Sequence, residues 1–195
     1  SQLETYAKCP FKFFMERVLT ISIVDEPSEE IESIEMGDLL HRTLYHFSMK
    51  LKEMGIVLFN CSDSDYKIAK TLLFGIAKDI FEEFEFNSES DFFEFEKVFG
   101  IEGNESNSIL FKFLEFERNN DLNEIFTPEL FEEPFGKLKD EDGKDSSIYN
   151  FSFDDIKLRG KIDRIDVGKE YGVFRVIDYK LGKKNPSKKY IDEGI

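Results

Sequence analysis

A chain of 195 residues with 41 acidic side chains against 26 Lys and Arg, a net charge of −15, 41% apolar and 34% charged residues has the composition of one folded domain and excludes global disorder. No apolar run reaches the roughly 20 residues of a bilayer span, and no basic stretch with an apolar core and a small-residue cleavage site opens the chain, so a cytoplasmic, membrane-free setting is expected. Two cysteines, Cys9 and Cys61, exclude a disulfide framework, and the acidic balance excludes a broad basic face, so any grip on nucleic acid is local or supplied by a partner.

Ser1-Gln2-Leu3-Glu4 has the form of a capping box, and Leu3, Tyr6 and Ala7 follow at helical spacing, which predicts a short opening helix. Cys9-Pro10 interrupts it, and Pro10 suits the first turn of a second helix with Phe11, Phe14, Met15 and Val18 on its apolar face. An acidic linker over residues 25–35 leads to a third helix, in which Met36, Leu39, Leu40, Leu44 and Phe47 recur at core-facing spacing. Gly37 and His41 lie four apart on one face of it, the glycine permitting close approach. Ile68, Leu72, Ile76, Ile80 and Phe84 predict a longer amphipathic helix. The acidic, Phe-rich stretch 82–96 reads as a solvated helix edge or an insertion loop, and residues 109–117 fit helix or strand. Residues 1–127 thus form the mainly helical part of a single domain spanning 1–195.

Beyond Pro128 the texture changes. Segments 130–135, 148–153, 156–166 and 171–180 are short, rich in β-formers and separated by Gly, Asp and Asn, which predicts an antiparallel meander over 128–195. The two-residue period of a strand places Phe174, Val176, Asp178 and Lys180 on one face, so two charges extend an apolar row. A hairpin centred near Glu170 and Tyr171 sets Asp163 opposite Asp178, where cross-strand Cβ atoms lie roughly 4.5–5.5 Å apart. Like charges so placed require a shared proton or a divalent cation, and oxygen ligands favour Mg²⁺ or Mn²⁺. Such an ion would polarise a phosphodiester oxygen and lower the pKa of a water, with Lys180 alongside to orient that water or offset charge at phosphorus.

Gly160-Lys-Ile-Asp163-Arg-Ile-Asp166, followed fifteen residues after Asp163 by Asp178-Tyr-Lys180, resembles the G-x-x-D-R-x-D and D-Y-K motifs of the RecB/AddB-type PD-(D/E)XK nucleases. Gly37-Asp-Leu-Leu-His41 resembles the G-x-x-x-H helix of that family, which implies that His41 is a metal ligand together with Asp163 and Asp178. Residues 128–136 resemble its strand with a further acidic residue assisting the site, here Glu132 or, as the fallback, Glu133. Lys161 and Arg164, beside the first motif, are candidate DNA-binding phosphate contacts. Residues 1–14 resemble the segment that opens the iron–sulfur subtype, where the cysteine before Pro is one of four cluster ligands. The chain ends at Ile195, before the distal cysteines and the Q-x-x-x-Y helix, so Cys9 is an orphan ligand and a 4Fe–4S cluster is expected only in a longer parent chain. Cys61 reads as a small buried hydrophobe.

The resemblance implies an α+β, restriction-endonuclease-like core: a small, mostly antiparallel sheet flanked by helices and stopping short at its C-terminal side. It implies a Mg²⁺- or Mn²⁺-dependent DNA exonuclease acting on a single-stranded end, coupled to a helicase subunit or domain in recombinational repair. A sheet face left uncovered is expected to favour a homodimer. The alternatives are a catalytically inactive nucleic-acid-binding or interaction module of a helicase complex, and a CRISPR-adaptation-type exonuclease, whose histidine-to-aspartate spacing is shorter than the 122 residues here.

Overall fold

The structure, a computed structural model, describes residues 2–21, 33–83, 89–100, 103–136, 151–153, 156–170 and 172–181. Most of the acidic linker, Phe84, residues 148–150 and Tyr171 lie outside the described residues. The chain divides into two compact units, Ser1–Glu29 with Lys180–Ile195, and Glu30–Tyr179, each treated by itself below.

The first unit opens with α1 (Gln2–Lys8) and α2 (Pro10–Phe13), followed by a π-helical turn, Phe14–Val18. Pro10 sits in the first turn of α2, where its missing N–H has no helical partner to lose. The Cys9 thiol caps the helix by accepting the N–H of Lys12 at 3.4 Å. Tyr6 and Phe13 meet edge to face. The expected apolar face of α2 is open rather than packed, since Phe11, Phe14 and Val18 are all exposed.

In the second unit α3 (Ser33–Met54) presents Met36, Leu40, Leu44, Phe47 and Leu51 to the core, a stripe at the predicted helical spacing. Helix α4 (Asp63–Glu83) packs against it, but the buried line is Ala69, Leu73, Ala77 and Ile80, while Ile68 is exposed. The expected line is displaced by one residue. Small side chains at positions 69 and 77 line the contact between the two helices, so the larger Ile68 and Leu72 are left to flank it.

The acidic, Phe-rich stretch corrects a second expectation. Helix α5 (Glu89–Phe99) belongs to the core: Asp91, Phe95, Val98 and Phe99 are buried, and Phe95 stacks on Phe99 at 4.2 Å between ring centroids. Four- and three-residue steps put these side chains on one face and leave the carboxylates of Glu94 and Glu96 on others, so high charge conceals an ordinary amphipathic helix. Phe95→Ala should therefore cost about 3–5 kcal/mol in urea unfolding; a loss below about 1 kcal/mol would mark α5 as peripheral. The ambiguous stretch after it is helix α6 (Ile109–Asn119), capped by Ser108, whose hydroxyl accepts the Phe111 N–H at 3.0 Å. Leu110, Leu114 and Glu117 form its buried side.

Five strands follow: β1 (Phe126–Phe135), β2 (Phe151–Phe153), β3 (Ile156–Leu158), β4 (Gly160–Gly168) and β5 (Phe174–Ile177). β1, β4 and β5 form an antiparallel three-stranded sheet in that order, and β2 and β3 pair separately. β1 begins before Pro128 rather than after it. As an edge strand it tolerates prolines, and the register shifts between Pro128 and Leu130, where the ladder lacks a donor. The expected 156–166 strand is split at Arg159, beside which Gly136 (φ +74) turns the chain out of β1; a Cβ there would lie 2.1 Å from the Leu158 carbonyl oxygen. One face of the sheet carries an open apolar row, with Val167, Phe174 and Val176 exposed. The architecture is thus α+β, as expected.

Candidate metal centre

The β4–β5 ladder runs from Val167↔Phe174 to Arg164↔Ile177, the register expected for a hairpin centred near Glu170. One rung further, the same register sets Asp163 across from Asp178. On the other side, β1 pairs with β4 through Phe131↔Arg164 and Glu133↔Ile162, so Glu132 stands across from Asp163. Strict alternation fails at this rung. Leu130 and Glu133 on one strand, and Ile162 and Ile165 on the other, line the same apolar depression although each pair is three residues apart. Glu132 carries the break, with φ +51 in the left-handed region, a conformation that a non-glycine residue adopts at a cost of about 1–3 kcal/mol.

The consequence is a convergence of three elements. His41 Nδ1 from α3 lies 3.4 Å from Asp163 Oδ1 of β4 and 3.6 Å from Glu132 Oε1 of β1. Ligand atoms of these three residues all fall within 4.8 Å of one another. Each is held from behind. His41 Nε2 is 3.1 Å from the Tyr179 carbonyl oxygen, and because a carbonyl only accepts, Nε2 carries the proton and donates. Asp163 Oδ2 accepts the Tyr179 N–H at 2.7 Å, and Glu132 Oε2 receives the Lys161 ammonium at 2.9 Å. One atom of every side chain is thereby anchored and the other is presented to the common centre.

The donor chemistry fits a hard divalent cation. With its proton on Nε2, a neutral His41 turns a lone pair at Nδ1 toward two carboxylate oxygens, and three electron-rich atoms at such distances need a proton or a cation among them. Two oxygens and one imidazole nitrogen suit Mg²⁺ or Mn²⁺ better than a thiol-preferring metal. Beside the cluster, Asp38, Arg42, Tyr45 and Lys161 line an open cleft.

Asp178 lies just past the end of β5, exposed, and among the described residues the three-residue cluster does not include its carboxylate. Lys180 belongs to the first unit. Glu133 points to the apolar depression on the other side of the sheet and not to the cluster, which separates it from Glu132.

Arg164 is the clear correction. It is buried at 2% exposure and does not face phosphates: Nε and Nη2 bind Asp166 at 2.5 and 2.9 Å, Nη2 binds Glu117 of α6 at 2.9 Å, and Nη1 donates to the Tyr179 hydroxyl at 3.2 Å. Asp166, fully buried, also accepts from Arg175, which reaches Asn123 at 2.7 Å. Two guanidinium and two carboxylate groups form a closed, neutral network under the sheet, which is how charges become tolerable in a low-dielectric interior. Lys161 is exposed but occupied by Glu132, so any phosphate contact would compete with that ion pair.

Sequence reasoning passed over Tyr179. Its backbone anchors both His41 and Asp163, and its ring meets His41 and Phe113 edge to face. Burial, opposed by the Arg164 charge and hydrogen bond, pushes its phenol up to about 12, so it is a neutral hydrogen-bonding strut at any physiological pH. Gly37 departs from expectation too. A Cβ built there meets nothing within 4 Å, so no close approach of the described chain requires it. Gly37→Ala should raise stability by about 0.5–1 kcal/mol through helix propensity alone, read as a higher midpoint in chemical denaturation, and a decrease would reveal packing at that position.

The cysteines do not make a cluster site of their own. Cys9 is exposed and serves as a helix cap, and Cys61, half-buried, has its thiol pushed up by burial, whereas an iron–sulfur centre takes four thiolates and the chain has two cysteines. No helix among the described residues is long and apolar enough to cross a membrane.

Comparison with known proteins agrees with this geometry. Three curated relatives are each the AddB subunit of an ATP-dependent helicase/deoxyribonuclease. That of Clostridium kluyveri (strain NBRC 12016) is 25% identical over 191 residues, covering 94% of this chain and 15% of the relative. That of Carboxydothermus hydrogenoformans is 30% identical over 203 residues, covering 100% and 17%. That of Clostridium perfringens (strain SM101 / Type A) is 28% identical over 193 residues, covering 94% and 15%. The chain therefore spans about one sixth of the length of the relatives it matches. The family model of the PD-(D/E)XK nuclease superfamily matches residues 1–194, and with the α+β core and the two acidic strands in place, the chain belongs to that superfamily.

Proposed function

We propose that the chain is the nuclease portion of a helicase–nuclease system for recombinational DNA repair, hydrolysing DNA phosphodiester bonds as a Mg²⁺- or Mn²⁺-dependent exonuclease. The observation that carries this reading is the convergence of His41 Nδ1, Glu132 Oε1 and Asp163 Oδ1, each anchored through its second atom. The deoxyribonuclease activity and the helicase partner follow the names of the relatives. In this reading His41, Glu132 and Asp163 hold the cation, and Asp178, across from Asp163 by register, joins them. The cation supplies Lewis-acid stabilisation of the charge that develops on the phosphate. Lys180, two residues beyond Asp178, orients the attacking water by hydrogen bonding and offsets negative charge at phosphorus. Tyr179 fixes the imidazole tautomer and the Asp163 rotamer, so neither has to reorganise when substrate enters. With a net charge of −15, the chain itself captures strands poorly, and a basic channel on the helicase partner delivers the single-stranded end.

The test is divalent-dependent release of nucleotides from single-stranded DNA by the wild type and by Asp178→Ala, with folding checked by circular dichroism. The variant should lose at least about 100-fold in rate. Equal rates would overturn the assignment of Asp178, and no release by either would favour a non-cleaving nucleic-acid-binding module, a reading that the position of Asp178 outside the three-residue cluster supports.

A further inference from the structure

The three anchors behind the cluster are unlike. Two are neutral main-chain groups of Tyr179, fixed by the fold. The third is the Lys161 ammonium, a full positive charge on a side chain 56% exposed, standing in the wall of the open cleft beside Arg42 and Tyr45. Arg42, by contrast, is tied to Glu83 at 2.7 Å.

We propose that Lys161 is the resident counter-ion of the cation site: it weakens cation binding while it holds Glu132, and a bound cation releases it to a phosphate of single-stranded nucleic acid. The inference rests on the cation reading given under Proposed function. Without a cation, Glu132 and Asp163 present two carboxylates to one centre, and the ammonium on Glu132 Oε2 offsets one of them. A divalent cation entering beside Oε1 does the same work, so the two positive charges repel across one carboxylate. Once the cation has taken up that negative charge, the ammonium holds Glu132 less strongly and its three donors become available to phosphate oxygens in the cleft.

Two opposed effects follow from removing Lys161, and the structure decides their order. Losing the ammonium removes an anchor from Glu132, which disfavours binding, and removes a repelling charge, which favours it. Glu132 is already fixed by its left-handed backbone and by the flanking pairs Phe131↔Arg164 and Glu133↔Ile162. The anchor is therefore partly redundant and the charge dominates.

The experiment is a calorimetric titration of the whole chain with Mn²⁺, without nucleic acid, comparing wild type, Lys161→Met and Lys161→Arg. Lys161→Met should bind Mn²⁺ about tenfold more tightly at low ionic strength, with the advantage shrinking as salt is added, and Lys161→Arg should stay within about twofold of wild type. In a companion titration with a short thymidine oligonucleotide, Ca²⁺ should strengthen binding to wild type and do so less in Lys161→Met. Unchanged or weaker Mn²⁺ binding by Lys161→Met, with wild type binding normally, overturns the counter-ion role and leaves the cation site standing. Absence of Mn²⁺ binding by wild type overturns both.

Discussion

Arg164→Ala is expected to cost about 3–5 kcal/mol in chemical denaturation, a large part of the roughly 5–15 kcal/mol that holds a domain folded. The guanidinium is the hub between Asp166 on its own strand, Glu117 on α6 and the Tyr179 hydroxyl, and all three lie in or near the core. Removing it leaves two carboxylates buried with only Arg175 and Asn123 to answer them. Loss of the Tyr179 contact should also loosen the segment whose backbone orients His41 and Asp163, so cation affinity should fall even under conditions where the variant remains folded. Replacing Arg164, Asp166 and Glu117 together by apolar residues of similar volume should recover much of the loss, because the penalty comes from uncompensated charge and not from the absence of an ion pair. If the single variant unfolds within about 1 kcal/mol of wild type, Arg164 is solvated and its placement under the sheet is wrong.

Asp163→Asn carries the second large effect. The amide oxygen can still accept the Tyr179 N–H, so the fold should be retained, and relief of the repulsion between Glu132 and Asp163 should leave stability unchanged or slightly higher. Cation binding is another matter. Halving the negative charge at the centre and replacing a carboxylate oxygen with an amide group should lower Mn²⁺ affinity at least about 100-fold, beyond the 10–100-fold typical of losing a supporting residue. Nucleotide release should fall at least as far. Calorimetry and a nuclease assay on the same preparation check both; undiminished Mn²⁺ affinity would remove Asp163 from the site.

Much of the catalytic half was legible because hairpin geometry leaves few choices. A short connection through Gly168 and Gly172 fixes the centre of symmetry, and the observed pairs of β4 with β5 follow it. The same register sets Asp166 across from Arg175, a complementary pair on neighbouring strands, and that signal for a buried network outweighs a phosphate contact at Arg164. The helix bearing His41 was legible from its apolar stripe. Less legible was everything that depends on shape. The buried line of α4 turns on alanines that a hydrophobic pattern underweights, and the charge of α5 masks phenylalanines that fill the core. The break in strand alternation at Glu132 has no residue-type signature, since only its backbone conformation reveals it. Tyr179 acts at the site mainly through its main chain, which any side chain shares.

One convergence of side chains underlies the chemistry, and its most direct test is anomalous diffraction from crystals of this chain soaked in Mn²⁺. A single strong peak within coordination distance, about 2.0–2.4 Å, of His41 Nδ1, Glu132 Oε1 and Asp163 Oδ1 is the predicted result, with Asp178 turned toward it if that carboxylate completes the site. A peak elsewhere on the chain, or none at saturating Mn²⁺ with these side chains ordered as described, would contradict it.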